Sequence, residues 1–141
     1  IVVKKGGPFE NAETLEDFEG AKITAQLNTT NYKVIDQIPG VKKQVAMDNF
    51  PAMRVAVETG AIDGYVAERP EAISAAAANE NFTYVVPEAG FKTDPADTAV
   101  AIGIKKGYAD TTKMNEILKG ISEEERQQLM EAAIANQPAA Q

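Results

Sequence analysis

The sequence has 141 residues, is 44% apolar and carries 21 acids against 14 bases, for a net charge of −7. A core can form, but the acidic balance speaks against nucleic acid as the main partner, because phosphate neutralisation needs a basic face. With no cysteine and no histidine, cysteine nucleophiles, Ser-His-Asp triads and the usual zinc sites are excluded, and no apolar run approaches the roughly 20 residues of a membrane span. The lack of cysteine fits a bacterial surface or secreted protein without disulfides and fits the cytosol equally.

In chain order, "IVVKKGG" is a β-rich run ended by glycines. It reads as a strand already under way, so the chain is expected to be a piece of a longer protein. "TLEDFEG" is one short helical turn closed by Gly20, and "KITAQL" is the next strand. A helix is predicted from about 30 to 38, stopped by Pro39-Gly40. "KKQVAM" is a strand, 51–59 a helix with Pro51 in its first turn and Gly60 past its end, and "AIDGYVA" a strand. "RPEAISAAAANEN" is an Ala-rich helix, "FTYVV" a strand, and 87–97 a Pro/Gly/Asp loop. This β-α-β-α-β-α-β order predicts an α/β fold, a mostly parallel sheet with helices on both faces.

The remainder differs. "TAVAIGIKKG" predicts a long strand, followed by two helices. Met114, Ile117, Leu118 and Ile121 make a helical stripe in the first. Ser122 and Glu125 make a capping-box pattern at the start of the second, and "NQPAAQ" reads as a frayed tail. "VVKKG" at 2–6 is echoed by "GIKKG" at 103–107, as if two strands enter and leave one lobe.

Two stretches could carry chemistry. In "QLNTTNY", Asn28, Thr29, Thr30 and Asn31 follow a strand whose carboxyl end is where open α/β sheets bind ligands. The helix that starts there offers unpaired N–H groups and a positive dipole end to a carboxylate or phosphate. The same residues also make ordinary N-caps. In "YVAERP", Glu68 follows the third strand of the α/β run at the same edge. Together they suit a zwitterion, with the α-carboxylate at the helix start and the α-ammonium on Glu68. Glu68 alone could equally pair with Arg69 or stand in solvent. Asp63 in "GAIDGY" reads as structural, at the opposite edge.

These stretches, in this order and spacing, resemble the type 2 periplasmic-type solute-binding proteins of bacterial ABC importers, in the polar amino-acid branch. The supporting runs are "IVVKK", "TLEDFEGAKITAQLNTTNY", "DNFPAMRVAVETGAIDGYVAERPEA" and "DTAVAIGIKKG". The resemblance implies two lobes joined by crossing hinge strands. Residues 1–5 and 98–106 would be the hinge strands, 6–97 the second lobe, and 107–141 helices that return to a first lobe outside this chain. It also implies that Thr30, with Thr29 beside it, donates to the ligand's α-carboxylate, that Glu68 binds the α-ammonium, and that Gln26 and Asn31 line the side-chain pocket. Two departures stand out: Asn28 replaces the family's usual Gly, and Glu68 its usual Asp.

The function so implied is extracellular or periplasmic binding of a polar L-amino acid for import, without cofactor or metal and without catalysis. The partner would be a membrane ABC permease, with the parent free, lipid-anchored or fused to it. A receptor's sensing domain, or a lyase or dehydratase on the same fold, are the alternatives. The stripe at 114–121, uncovered, makes self-association of this chain plausible.

Overall fold

The computed structural model describes residues 1–136. Strands β1 (Val2–Lys4), β2 (Lys22–Ala25), β3 (Lys42–Lys43), β4 (Gly64–Val66) and β5 (Phe82–Tyr84) form one sheet in the order β3-β2-β4-β1-β5. β2 runs parallel to β3 and β4, while β1 runs antiparallel to β4 and β5. Helical crossovers make the parallel pairing possible. α1 (Thr30–Val34), extended by a 3-10 turn at Ile35–Gln37, joins β2 to β3. α2 (Phe50–Glu58) joins β3 to β4, and α3 (Arg69–Ala78) joins β4 to β5. The expected fold class holds with one refinement: β1 is inserted against the direction of the others, so the sheet is mixed.

Period-two alternation sorts the core onto two faces. Val3, Ile23, Ala25 and Val66 pack with Phe18 and with Val34, Ile35 and Ile38 from α1 and its extension. Val2, Tyr65 and Phe82 pack with Met53, Ala56 and Val57 of α2 and with Ala72 and Ala75 of α3. Helical turns therefore cover both faces, as the sequence predicts. At the seam between β4 and β1, Gly64 lies opposite Val3. A Cβ on Gly64 would sit 2.7 Å from the Val2 carbonyl oxygen, so the close approach of β1 depends on the missing side chain.

Asp63 has the structural role expected of it. Its Oδ2 accepts the Lys22 N–H at 2.7 Å, and its own N–H donates to the Lys22 carbonyl at 2.8 Å. This fastens the start of β2 to the start of β4, at the sheet end away from the helix starts.

The run at 98–106 differs from its expectation. A short helix, α4 (Pro95–Thr98), occupies the end of the predicted loop, and no strand forms after it among the described residues. Val100 and Ile102 are exposed. β-propensity makes a strand only where a neighbour takes the backbone N–H and C=O groups, and no such pairing forms among the described residues. α5 (Thr111–Gly120) and α6 (Glu123–Ala135) follow. Ser122 Oγ accepts the Glu125 N–H at 3.1 Å, the expected cap. Neither helix holds a buried residue, and Ile117 and Leu118 of the apolar stripe are exposed. The described residues divide into two compact units, 1–98 and 99–136. The predicted frayed tail lies outside the described residues from 137 onward.

Candidate functional site

Three helices begin at one edge of the sheet, because β2, β3 and β4 are parallel and α1, α2 and α3 follow their carboxyl ends. Each start is set by local chemistry. After β2 the chain turns through Asn28, whose φ of +61° makes it the left-handed non-glycine residue among those described. Asn tolerates this region better than most side chains, so the turn survives without glycine. Thr29 then caps α1: its Oγ1 accepts the Tyr32 N–H at 3.3 Å and donates to the Gln26 carbonyl at 2.6 Å. At α2, Asn49 Oδ1 accepts the Ala52 N–H at 2.9 Å, and Pro51 stands in the first turn. At α3, Glu68 occupies the N-cap position, but its carboxylate accepts no capping hydrogen bond.

A cleft of about 450 Å³ opens at this edge. All five residues singled out from the sequence line it: Gln26, Thr29, Thr30, Asn31 and Glu68. Their capacities differ. Thr29 has already donated its one hydroxyl proton, so it can offer a guest only a lone pair. Thr30 sits one residue further, with no side-chain hydrogen bond among the described residues, and keeps its donor. Gln26 Nε2 donates to the Asp48 carbonyl at 3.0 Å, which ties the end of β2 to the loop before α2 and leaves its Oε1 open. Asn31 and Glu68 make no side-chain hydrogen bond among the described residues, and Glu68 is exposed. The Thr30 hydroxyl at the start of α1 and the unpaired Glu68 carboxylate therefore line the same cleft.

Sequence reasoning missed four lining residues: Phe50, Pro70, Glu71 and Asp97. Phe50 was within reach, since it starts α2 at the same edge, directly before Pro51. Glu71 is part of a network that no local pattern announces. Arg54 Nη2 lies 2.8 Å and 3.0 Å from the two Glu71 oxygens, Arg54 Nε lies 3.1 Å from Oε1, and the Tyr65 hydroxyl donates to Oε1 at 3.1 Å. Burial, reinforced by the Glu71 charge, pushes the Tyr65 phenol well above its ordinary range. It therefore remains a donor across physiological pH. The network ties α2, α3 and β4 together beside Glu68.

No family model matches the sequence, and no curated protein matches it. Solved structures do match. One is an amino acid ABC transporter substrate-binding protein from Streptococcus pneumoniae bound to L-arginine, at 23% identity and a TM-score of 0.69, covering 95% of this chain and 55% of that one. Another is a mutant of ArgBP from T. maritima, at 20% identity and a TM-score of 0.67, covering 96% of this chain and 56% of that one. A third is an ancestral arginine-binding protein bound to arginine, at 24% identity and a TM-score of 0.60, covering 93% of this chain and 57% of that one. At such identities the likeness establishes the fold: the chain is built as one part of an amino-acid ABC transporter substrate-binding protein is built, and it spans little more than half the length of these neighbours.

Proposed function

We propose that this chain is part of the substrate-binding component of an amino-acid ABC importer, and that its cleft holds one side of a polar L-amino acid. The observation that carries this reading is a single cleft lined both by Thr30, with a free hydroxyl donor at the start of α1, and by Glu68, with a free carboxylate at the start of α3. The α-carboxylate would take the Thr30 hydroxyl and the N–H groups of the α1 start. The α-ammonium would take Glu68 by charge-assisted hydrogen bonds. Gln26 and Asn31 would meet the ligand's side chain, and Thr29 would hold the turn in shape. The neighbours are binding proteins, which favours binding over catalysis.

The remaining walls, including an arginine for the carboxylate, would come from a first lobe outside this chain. Ligand would favour closure of the two lobes, a hinge motion, and the closed form would dock on a membrane permease at the outer face of the membrane. Among the described residues no helix is long and apolar enough to cross a membrane. The exposed apolar side chains Ile117, Leu118, Leu129 and Met130 would make this chain associate with itself at high concentration when tested alone.

The test is a thermal-shift screen of the full-length protein against the common amino acids, paired with an assay for turnover. A rise in melting temperature with polar L-amino acids and no product is the expected result. Product formation would overturn the transport reading, and no shift with any amino acid would overturn the ligand class.

A further inference from the structure

We infer that residues 93–98 form a strap at the rim of the cleft, and that Gln37, remote from the cleft, is the positioning residue that sets the strap's course. The strap is independent of what the cleft binds.

The chain after β5 is fastened to the sheet and its cover as far as Lys92. The Val85 N–H donates to the Ile1 carbonyl at 2.8 Å, and the Glu88 N–H to the Glu13 carbonyl at 2.9 Å. A turn closed by the Gly90 N–H on the Pro87 carbonyl at 2.9 Å follows, and Phe91 packs against the core cluster that holds Phe18 and Ile35. Gln37 makes the last tie. Its Nε2 donates to the Lys92 carbonyl at 2.7 Å, and its Oε1 accepts the Lys92 N–H at 2.8 Å. A side-chain amide suits this because it carries a donor and an acceptor side by side. The pair copies two rungs of a β-ladder without a second strand.

Beyond Lys92 the fastening stops. The Ala96 N–H donates to Asp94 Oδ1 at 2.8 Å and the Asp97 N–H to the Asp94 carbonyl at 2.9 Å. The hydrogen bonds of 93–98 thus run within the segment among the described residues, and all of its residues are exposed. Yet Asp97 lines the cleft. The two ends of the strap therefore lie at opposite ends of one helical run: Gln37 closes the 3-10 extension, and Thr30 starts α1 at the cleft. That run covers roughly 10 Å. The chain from Lys92 to Asp97 spans at most about 17 Å, enough to return over this length with slack for the turn of α4. A segment with no buried residue and no outward hydrogen bond is weakly held, so the point where it is anchored decides where it goes.

The chain has no cysteine, so Asp97→Cys carries a single nitroxide spin label. NMR of the isotope-labelled 141-residue chain then shows which amide signals the label broadens. Asn31 and Phe50, at the cleft, are expected to broaden, and Ile62, at the opposite end of the sheet, to stay sharp. Gln37→Met, similar in length but without the amide, is expected to remove most of the broadening at Asn31. It should also speed hydrogen exchange of the Lys92 amide about fivefold, the scale of one hydrogen bond. Gln37→Glu, which accepts the Lys92 N–H but cannot donate to its carbonyl, should fall between. The urea midpoint is expected to hold in both variants, because Gln37 is exposed and α4 buries nothing. Equal broadening with and without the Gln37 amide overturns the role of Gln37, and a midpoint that falls together with the broadening reduces it to a stabilising residue. A sharp Asn31 signal in the labelled chain with Gln37 intact overturns the strap itself.

Discussion

Residues 1–98 and residues 99–136 contain similar kinds of apolar side chains and meet opposite fates. In the first region Ile23, Tyr65, Met53 and Val2 are wholly buried. In the second, Val100, Ile102, Ile117, Leu118 and Leu129 are exposed, although their spacing is as regular. Pattern alone therefore does not decide burial. A strand or an amphipathic helix buries its apolar side only if the chain brings a second surface to meet it. The first region has a sheet with cover on both faces. The second has two helices that hold no buried residue.

The sharpest way to test this contrast is to delete apolar volume in both regions. Ile23→Ala removes a wholly buried side chain from the central strand and should cost about 2–5 kcal/mol in urea unfolding. Leu118→Ala should change the same midpoint by no more than about 0.5 kcal/mol. Similar losses at both positions would mean that residues 99–136 are covered after all. Next comes the backbone seam. Gly64→Ala forces a Cβ against the Val2 carbonyl oxygen and should cost about 1–3 kcal/mol through displacement of β1. A neutral result would show that β1 is held loosely.

Arg54→Ala tests the network beside the cleft. It leaves Glu71 without its cation. The two side chains keep 22% and 15% exposure, so water offsets part of the loss, and the expected cost is about 1–2 kcal/mol, short of that for a fully buried pair. The smallest effect concerns pH. The Glu13 N–H, then the Thr14 N–H and hydroxyl, hold the exposed Asp17 carboxyl below its ordinary value. Its contribution is fully present above the ordinary carboxylate range and is lost as pH falls through the lowered value. Asp17→Asn should therefore flatten the acid limb of the stability profile slightly. An unchanged acid limb would remove Asp17 from the account.

Much of the fold was legible because local signals agreed with tertiary ones. Pro51, Pro70 and Ser122 mark helix starts that the structure contains. The β/α alternation named the crossovers. The helix predicted at 30–38 appears as α1 plus a 3-10 turn, tightening near Val34 and Ile35 before Pro39. What failed was 98–106, where "TAVAIGIKKG" was read as a strand and no pairing forms among the described residues. The candidate site was legible at Thr30 and Glu68, since both follow strand ends. Glu71 was not, because its partner Arg54 lies 17 residues away on another helix. Asp97 lay in a stretch read as loop, and only the folded chain brings it to the cleft.

The central claim is that Thr30 and Glu68 form one side of a clamp for an amino acid. Calorimetry on the full-length protein and its Glu68→Ala variant tests this most directly. The account predicts that a polar L-amino acid binds the first and that binding to the second is lost, with folding intact because Glu68 caps nothing through its side chain. Micromolar affinity retained by Glu68→Ala would contradict it.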